Sequence, residues 1–261
     1  PSLIPTTRPL NEPFNFLVTT IIKWDIPGQE ELRKLVLEKS ELYLFETDVL
    51  YYFIDITNPR IGESKEFLKN IIENLQEYDC PVPIIFIITK IDEDIAQKQE
   101  IREIIEDIKN EFIKIINDRP YRFFETSIFS SFSILNAFSY GIRQLSPNRE
   151  MLEHLIWEFL IQNNLITGLL VNKDGLVLAA QEIIEPEHKF VLSRNQIFEI
   201  TASNFTSIAQ QFTDYISSQS ETILYNFSEE DVVYLKRFRE EDFIFYFIFY
   251  SKRRSEERRV G

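Results

Sequence analysis

The sequence is poor in residues on which several common protein classes depend. It has one cysteine, Cys80, two histidines and six glycines in 261 residues. A single cysteine forms no internal disulfide and indicates a reducing compartment, so we expect a cytoplasmic protein. Six glycines exclude a collagen-like or low-complexity chain. With no Cys or His at ligand spacing, a zinc site is not expected.

Basic residues and long apolar runs are also scarce. Lys and Arg number 28 against 42 Asp and Glu, for a net charge of −14. This balance argues against polymeric nucleic acid as the partner, because phosphate binding needs clustered cations. No apolar run reaches the roughly 20 residues of a membrane-spanning helix. We therefore expect no direct membrane insertion, and an internal membrane would be reached only through partners.

The first half of the chain alternates apolar runs with amphipathic segments. Continuous apolar runs predict strands over 49–54 and 83–88, and a shorter strand is predicted over 122–125. Helical spacing predicts helices over 64–78, 96–116 and 134–145, while residues 14–24 predict a hairpin or one long strand. This order predicts an α/β fold, a mostly parallel sheet with helices on both faces. Ligands bind such sheets at the carboxyl ends of the strands.

The pattern changes after residue 147. It predicts a helix over 149–162, a hairpin over 168–180, a helix over 195–216 and three strands over 222–227, 232–238 and 243–250. This order predicts a small α+β domain with an antiparallel sheet, so we expect domains at 1–147 and 148–252. The tail at 253–261, RRSEERRVG, resembles translated sequencing adaptor and is expected to be non-native; a solvated basic tail is the alternative.

Asp25-Ile26-Pro27-Gly28-Gln29 follows the first predicted strand. An Asp at a strand end can hold Mg²⁺ through water, a glycine lets the backbone approach a γ-phosphate, and the Gln can orient an attacking water. Taken alone, the pentapeptide fits an ordinary strand-to-loop turn equally well.

Two further motifs follow later strands. In Thr89-Lys90-Ile91-Asp92 the carboxylate can accept two N–H bonds from a guanine edge, and the lysine stem can lie over the purine ring. In Glu125-Thr126-Ser127 the backbone N–H groups can bind a purine carbonyl oxygen. Each has a plain structural alternative as a helix start or helix cap. The three motifs together, in this order and each after a predicted strand, favour nucleotide binding.

These motifs resemble those of the Ras-like GTPase superfamily, and their residues are most similar to the motifs of its Rag/Gtr branch. Trp24 to Gln29 resembles W-D-x-P-G-Q, and Thr126-Ser127-Ile128-Phe129 resembles T-S-I-[FY]. The second domain resembles the roadblock (longin-like) domain that Rag proteins carry.

The resemblance implies roles for individual residues, residue by residue. Asp25 would bind Mg²⁺ through water with Thr6, for which Thr7 is a close alternative. Gly28 would contact the γ-phosphate, and Gln29 would be the catalytic residue that positions water. The guanine base would be held by the remaining residues, Thr89, Lys90, Asp92, Thr126, Ser127 and Ile128.

The sequence departs from the family pattern in two respects. No G-x-x-x-x-G-K-[ST] phosphate-binding loop occurs in it. We expect an N-terminal truncation to explain this, with a pseudo-GTPase as the alternative. Thr89 also replaces the usual Asn, which puts guanine affinity in doubt.

The resemblance implies a GTP/GDP- and Mg²⁺-dependent switch that hydrolyses GTP when intact. It would signal through a homo- or heterodimer with a related chain, through scaffolds of the roadblock/longin type and through regulators. The alternatives are a non-hydrolysing scaffold and, less well supported, an unrelated α/β enzyme.

Overall fold

The computed structural model describes residues 10–16, 19–26, 28–146, 148–183, 204–206, 209, 222–226, 229, 231–240 and 243–252. The chain divides into two compact units, Pro1–Glu125 and Thr126–Gly261. Each unit has its own sheet and its own buried core.

The first unit opens with a hairpin and two helices. Strands β1 (Leu10–Phe16) and β2 (Thr19–Asp25) pair antiparallel, and α1 (Glu30–Glu38) and α2 (Ser40–Leu44) follow. Of the hairpin and the one long strand predicted over 14–24, the structure has the hairpin. The hydrogen-bonded neighbour of β2 among the described residues is β1.

A three-stranded parallel sheet forms the centre of the first unit. Its strands are β3 (Leu50–Asp55), β4 (Ile84–Thr89) and β5 (Tyr121–Glu125), in the order β3-β4-β5. Helix α3 (Ile61–Glu77) connects β3 to β4, and α4 (Glu93–Ala96) and α5 (Gln99–Ile113) connect β4 to β5. Parallel pairing requires such crossovers, and it places the carboxyl ends of all three strands at one edge.

The long helix predicted over 96–116 corresponds to α5, which begins three residues later, and Ala96 is instead the last residue of α4. Lys98 has an extended backbone conformation and precedes the first turn of α5. The Arg102 Nε donates to the carbonyl of Ala96 at 2.5 Å, which satisfies an acceptor that the break leaves outside the helix. Helical periodicity alone continues through this point, so the break was missed.

The core of the first unit lies where alternate side chains of β3 and β4 meet α3 and α5. Because strand side chains alternate between faces, Tyr52 and Ile54 point to this side and Phe53 to the other, where it is 56% exposed. The fully buried members of the core from the strands and helices are Ile84, Phe86, Ile88, Leu68, Leu75, Ile108 and Phe112.

The second unit contains α6 (Ser131–Gln144), α7 (Arg149–Gln162) and a five-stranded antiparallel sheet. The strands are β6 (Thr167–Asn172), β7 (Val177–Glu182), β8 (Thr222–Asn226), β9 (Asp231–Glu240) and β10 (Phe243–Lys252), in the order β7-β6-β10-β9-β8. The helix predicted over 195–216 lies largely outside the described residues, of which 204–206 and 209 are helical.

Helix α6 belongs with the second unit, whereas the sequence pattern assigned it to a first domain ending at 147. The N–H of Val177 in β7 donates to the Ser139 Oγ of α6 at 3.2 Å, and Ser139 is buried. The compact units consequently divide between Glu125 and Thr126. The domain ranges 1–147 and 148–252 stay predictions.

The uninterrupted apolar strand β10 is covered on both faces within the second unit. Tyr246 and Ile248 are buried in a cluster with Phe205 and Ala209, and the rings of Phe247 and Phe249 contact Phe159 of α7. A second chain is therefore not needed to cover β10.

Candidate functional site

The loop after β4 begins with Thr89, which lies in register with Asp55 of β3. The Thr89 hydroxyl donates to the backbone carbonyl of Ile54 at 3.3 Å. Two residues later, Ile91 is buried in the core. Both ends of this short loop are thus anchored, and the polar residues of the motif lie at the edge of the sheet.

Lys90 has a left-handed backbone conformation, with φ 64°. This region costs a side chain other than glycine about 1 kcal/mol or more. The Lys90 Nζ lies 2.6 Å from the Oδ2 of Asp55.

Asp55 completes this arrangement, and sequence reasoning missed it. Its Oδ1 accepts hydrogen bonds from the N–H and the hydroxyl of Thr57, at 2.9 and 2.7 Å. Burial raises the pKa of Asp55, but the hydrogen bonds from Lys90 and Thr57 outweigh it, so the pKa lies below its ordinary value. Its position directly after the apolar run 49–54 was the available signal, because that is where a parallel strand presents ligand-binding groups.

Asp92 begins α4 without acting as a side-chain cap. Its backbone carbonyl accepts from the N–H groups of Ile95 and Ala96, and in the described structure its carboxylate makes no capping hydrogen bond to the helix. Asp92 thus stands at the start of α4, as the helix-start alternative predicted, and its role in binding a base stays a prediction. The half-buried carboxylate lies two residues beyond Lys90, on the same loop.

The segment after β2 places three predicted residues near solvent. Asp25 is the last residue of β2, faces Leu10 across the hairpin and is exposed. Gln29 precedes the first turn of α1, its carbonyl accepts from the N–H of Arg33, and it is exposed. The ring of Trp24 meets that of Tyr43 edge to face, with centroids 5.3 Å apart, which ties the end of β2 to α2.

Gly28 is not required by the surrounding fold. Its φ lies outside the left-handed region, and a Cβ there would make only an ordinary contact, 3.8 Å from a terminal nitrogen of Arg33. The guanidinium of Arg33 in turn lies over the ring of Phe67 in α3, 5.1 Å from its centroid. A glycine without a conformational or packing reason fits a position that a ligand approaches closely, and Arg33 adds positive charge beside it.

Glu125 fixes the carboxyl end of β5. Its side chain accepts from Arg102 at 2.7 Å and lies 3.4 Å from the Nζ of Lys109, both on α5. Glu125 lies next to Ile88 in the register of the sheet, one residue before Thr89. The strand that leads into Thr126 and Ser127 therefore ends beside the strand that leads into Lys90 and Asp92.

The loop after Glu125 is held by its own serines. Thr126 and Ser127 are buried. The Ser127 N–H donates to the Ser133 Oγ at 3.1 Å, and the Phe129 N–H donates to the Ser127 Oγ at 3.1 Å. Between these two engaged amides, Ile128 is 72% exposed. Among the three residues predicted to support the base, Ile128 is thus the one that faces solvent.

The family of the chain follows from a sequence-profile comparison. Residues 2–211 match the model of the Gtr1/RagA G protein conserved region, which is more than half of the chain. The chain belongs to the Gtr1/RagA G protein family. No curated protein matches it in a sequence search.

Solved structures resemble this Gtr1/RagA family member only distantly. The small GTPase Arl6 (BBS3) from Trypanosoma brucei, with bound GppNp, is 18% identical over 54% of this chain and 80% of its own, with a TM-score of 0.44. The gliding protein MglB from Thermus thermophilus is 14% identical over 41% and 75%, with a TM-score of 0.33. At these values the family assignment depends on the profile match alone.

Several predicted features of this family member lie outside the described residues: Thr6, Thr7, Pro27 and the tail 253–261. Within the described part, Thr89, Lys90 and Asp92 share one loop, and Asp25, Gly28 and Gln29 share another. No strand pairing joins β2 to the parallel sheet in that part of the chain. None of the helices described there is long and apolar enough to cross a membrane.

Proposed function

We propose that this Gtr1/RagA family member is a guanine-nucleotide-dependent switch that hydrolyses GTP. The observation that carries the proposal is the loop after β4. It holds Lys90 in a left-handed conformation and places the half-buried Asp92 two residues further on, at the start of α4. Asp92 would accept hydrogen bonds from the two N–H donors of a guanine edge, and the Lys90 stem would cover the face of the ring. Adenine lacks that pair of donors.

The loop after β5 would complete base recognition. Because the Ser127 N–H already donates to Ser133, we assign the contact with the purine carbonyl oxygen to the Ile128 N–H. Ser127 would stabilise the conformation of the loop, and the buried Thr126 would anchor its first residue. Thr89 would support the base through its hydrogen bond to β3.

The loop after β2 would serve the phosphates. The Gly28 N–H would donate to the γ-phosphate, the Gln29 amide would orient the attacking water, and Arg33 would add positive charge nearby. Mg²⁺ would be bound by the exposed carboxylate of Asp25 and the hydroxyl of Thr6. This donor set fits Mg²⁺, a cation that proteins bind through one or two carboxylates together with water and substrate phosphates. When bound, Mg²⁺ would neutralise charge on the phosphate oxygens. Attack by water on the γ-phosphate would release inorganic phosphate and GDP.

The output of the switch would be a change in partner affinity. We propose that the nucleotide state alters the conformation of the segment from Asp25 to α1. The second unit would serve as a roadblock-type dimerisation domain. The protein would be cytoplasmic and would be recruited to an internal membrane by its partners. Two features of the second unit support the dimer. Among the strands that the structure describes, β8 lies at an edge of its sheet. Helix α7 exposes Met151, Leu155 and Trp157 by 44% or more of their surface.

A non-hydrolysing scaffold is the second candidate. One observation favours it: the printed sequence contains no G-x-x-x-x-G-K-[ST] loop, the element that supplies most contacts to the β-phosphate. Its discriminating property is that partner binding would not depend on GTP.

The test uses protein expressed from the complete coding sequence. We expect it to bind fluorescent GDP and GTP analogues and to release phosphate slowly. Gly28→Ala should leave the thermal unfolding midpoint unchanged, because the Cβ meets only Arg33 at 3.8 Å, and should weaken GTP binding more than GDP binding. Equal affinity of Gly28→Ala for both nucleotides would contradict the phosphate role, and no binding by the parent protein would favour the scaffold.

A further inference from the structure

The Asp55–Lys90 ion pair connects the ends of two neighbouring parallel strands. Asp55 is the last residue of β3, and Lys90 directly follows β4. Their charged atoms are 2.6 Å apart. The contact spans 35 residues of sequence and depends on the register that places Asp55 beside Thr89.

The carboxylate of Asp55 is held in one orientation. Its Oδ1 accepts both hydrogen bonds from Thr57, so its Oδ2 is directed to Lys90. The neighbouring Thr89 hydroxyl binds the carbonyl of Ile54, which fixes the backbone on the lysine side. Hydrogen bonds from Thr57 therefore fix the Asp55 side chain, and the bond from Thr89 fixes the backbone next to Lys90.

Stability does not explain the pair. The side chains of Lys90 and Asp55 are 56% and 37% exposed, and ion pairs at such positions contribute little to folding. Lys90 also holds a left-handed backbone conformation that glycine would adopt freely. What the pair does change is the freedom of the lysine side chain, which is among the largest of any residue.

We propose that Asp55 is a positioning residue for guanine-nucleotide binding, which fixes the Lys90 ammonium so that the lysine stem is already extended along the base site. The inference rests on the proposed function, because Lys90 is taken to contact the base. The entropy of ordering Lys90 is then lost when the loop folds and not when the nucleotide binds, as in other preorganised sites.

A double-mutant cycle tests the coupling. Fluorescent GDP binding is measured for protein from the complete coding sequence, for Asp55→Asn, for Lys90→Met and for the double variant. We expect each single substitution to weaken binding about tenfold, and the double variant to bind about as weakly as either one, because Asp55 acts through Lys90. Glu111→Gln, which breaks the comparable Lys65 pair at 2.5 Å on α5, is the matched control and should bind like the parent.

A second measurement needs no nucleotide. In the 261-residue chain, carboxyl ¹³C NMR should find the pKa of Asp55 below its ordinary value, and Lys90→Met should raise it. No rise would show that the pair is absent in solution and would overturn the inference.

The outcomes of the two measurements separate the two proposals. Losses that add in the double variant, or an Asp55→Asn variant that binds like the parent while Lys90→Met is weakened, would overturn the positioning role alone. A parent protein that binds no guanine nucleotide would overturn the proposed function, and the positioning role with it.

Discussion

The hydroxyl of Tyr52 in β3 donates to the backbone carbonyl of Ser64 in α3 at 2.7 Å and lies 2.9 Å from the Ser64 hydroxyl. Both residues are buried, so this contact joins the edge strand of the parallel sheet to the helix that follows it. Burial raises the pKa of Tyr52, so the hydroxyl stays protonated and able to donate.

We expect Tyr52→Phe to lower the free energy of unfolding by about 1 kcal/mol, because it removes this hydrogen bond and leaves the Ser64 hydroxyl unsatisfied. Tyr121→Phe is the matched control, since Tyr121 is 42% exposed on β5. Urea unfolding followed by tryptophan fluorescence measures both. Equal stability of the two variants would contradict the prediction.

Gly168 and Gly62 should respond to alanine in opposite directions. A Cβ at Gly168 in β6 would lie 3.0 Å from Ile156, 3.1 Å from Leu160 and 3.4 Å from Phe247, so these packed side chains would have to give way by a few tenths of an ångström. We expect Gly168→Ala to destabilise the second unit by about 1–3 kcal/mol. At Gly62 in α3 nothing lies within 4 Å, and alanine should stabilise by about 0.5–1 kcal/mol. Calorimetry of both variants checks the pair, and a lower unfolding temperature for Gly62→Ala would contradict it.

The Glu111 carboxylate should contribute to the pH dependence of stability. Hydrogen bonds from Lys114 and Lys65 lower its pKa from 4.5 to about 2. A lowered folded-state pKa gives stability that is present above the unfolded value, near 4.5, and is lost as the pH falls towards 2. Because Glu111 is solvent-exposed, the effect should be small.

Glu111→Gln should therefore flatten the dependence of unfolding free energy on pH between about 4.5 and 2. Urea denaturation at several values in this window compares the variant with the parent. Identical slopes would show that the two lysines do not hold the carboxylate in solution.

The proposed role of Asp92 in recognising guanine can be tested by exchanging its carboxylate for an amide. In protein from the complete coding sequence, Asp92→Asn puts an amide donor opposite the guanine N1–H, so GTP affinity should fall by about tenfold or more and affinity for xanthosine triphosphate should rise. Asp94→Asn, in the exposed first turn of α4, is the control and should change neither. Titration calorimetry with both nucleotides measures the exchange, and an unchanged GTP affinity would exclude Asp92 from the base site.

Dimerisation can be tested on the exposed face of α7. Leu155 is 52% exposed, and Leu155→Asp should weaken the dimer. Sedimentation experiments on the 261-residue chain, alone and mixed with a related chain, measure this. Leu42→Asp, at a leucine of α2 that is 59% exposed, should leave the dimer intact. A chain that is monomeric in every mixture would contradict the proposed dimer, and the coverage of β10 within the second unit makes that outcome compatible with a stable fold.

Local pattern was enough to predict several elements. The runs 49–54 and 83–88 were predicted as strands, and β3 and β4 confirm them. A continuous apolar run bounded by polar residues has few alternatives, because a strand buried in a parallel sheet is apolar at nearly every position. The motifs around Asp25, Lys90 and Ser127 could be recognised for the same reason, since each is a short run of neighbouring residues.

The arrangement of partners could not be predicted in this way. Periodicity indicated a helix through Lys98, but an extended backbone and the bond from Arg102 to Ala96 divide it. The Ser127 amide was predicted to face a ligand, yet Ser133, six residues on, accepts its hydrogen. The apolar pattern of β10 also does not specify which side chain contacts Phe247; in the structure it is Phe159 of α7, far away in the chain.

The sequence by itself determined the family, the three strands of the parallel sheet and the loops that carry the proposed nucleotide-binding residues. Apolar runs and short motifs are properties of adjacent residues, so they can be recognised without the fold. Only the tertiary structure decided which groups meet: Asp55 with Lys90, and α7 with β10. These contacts depend on strand register and helix placement, which bring together residues distant in sequence through packing of the whole unit.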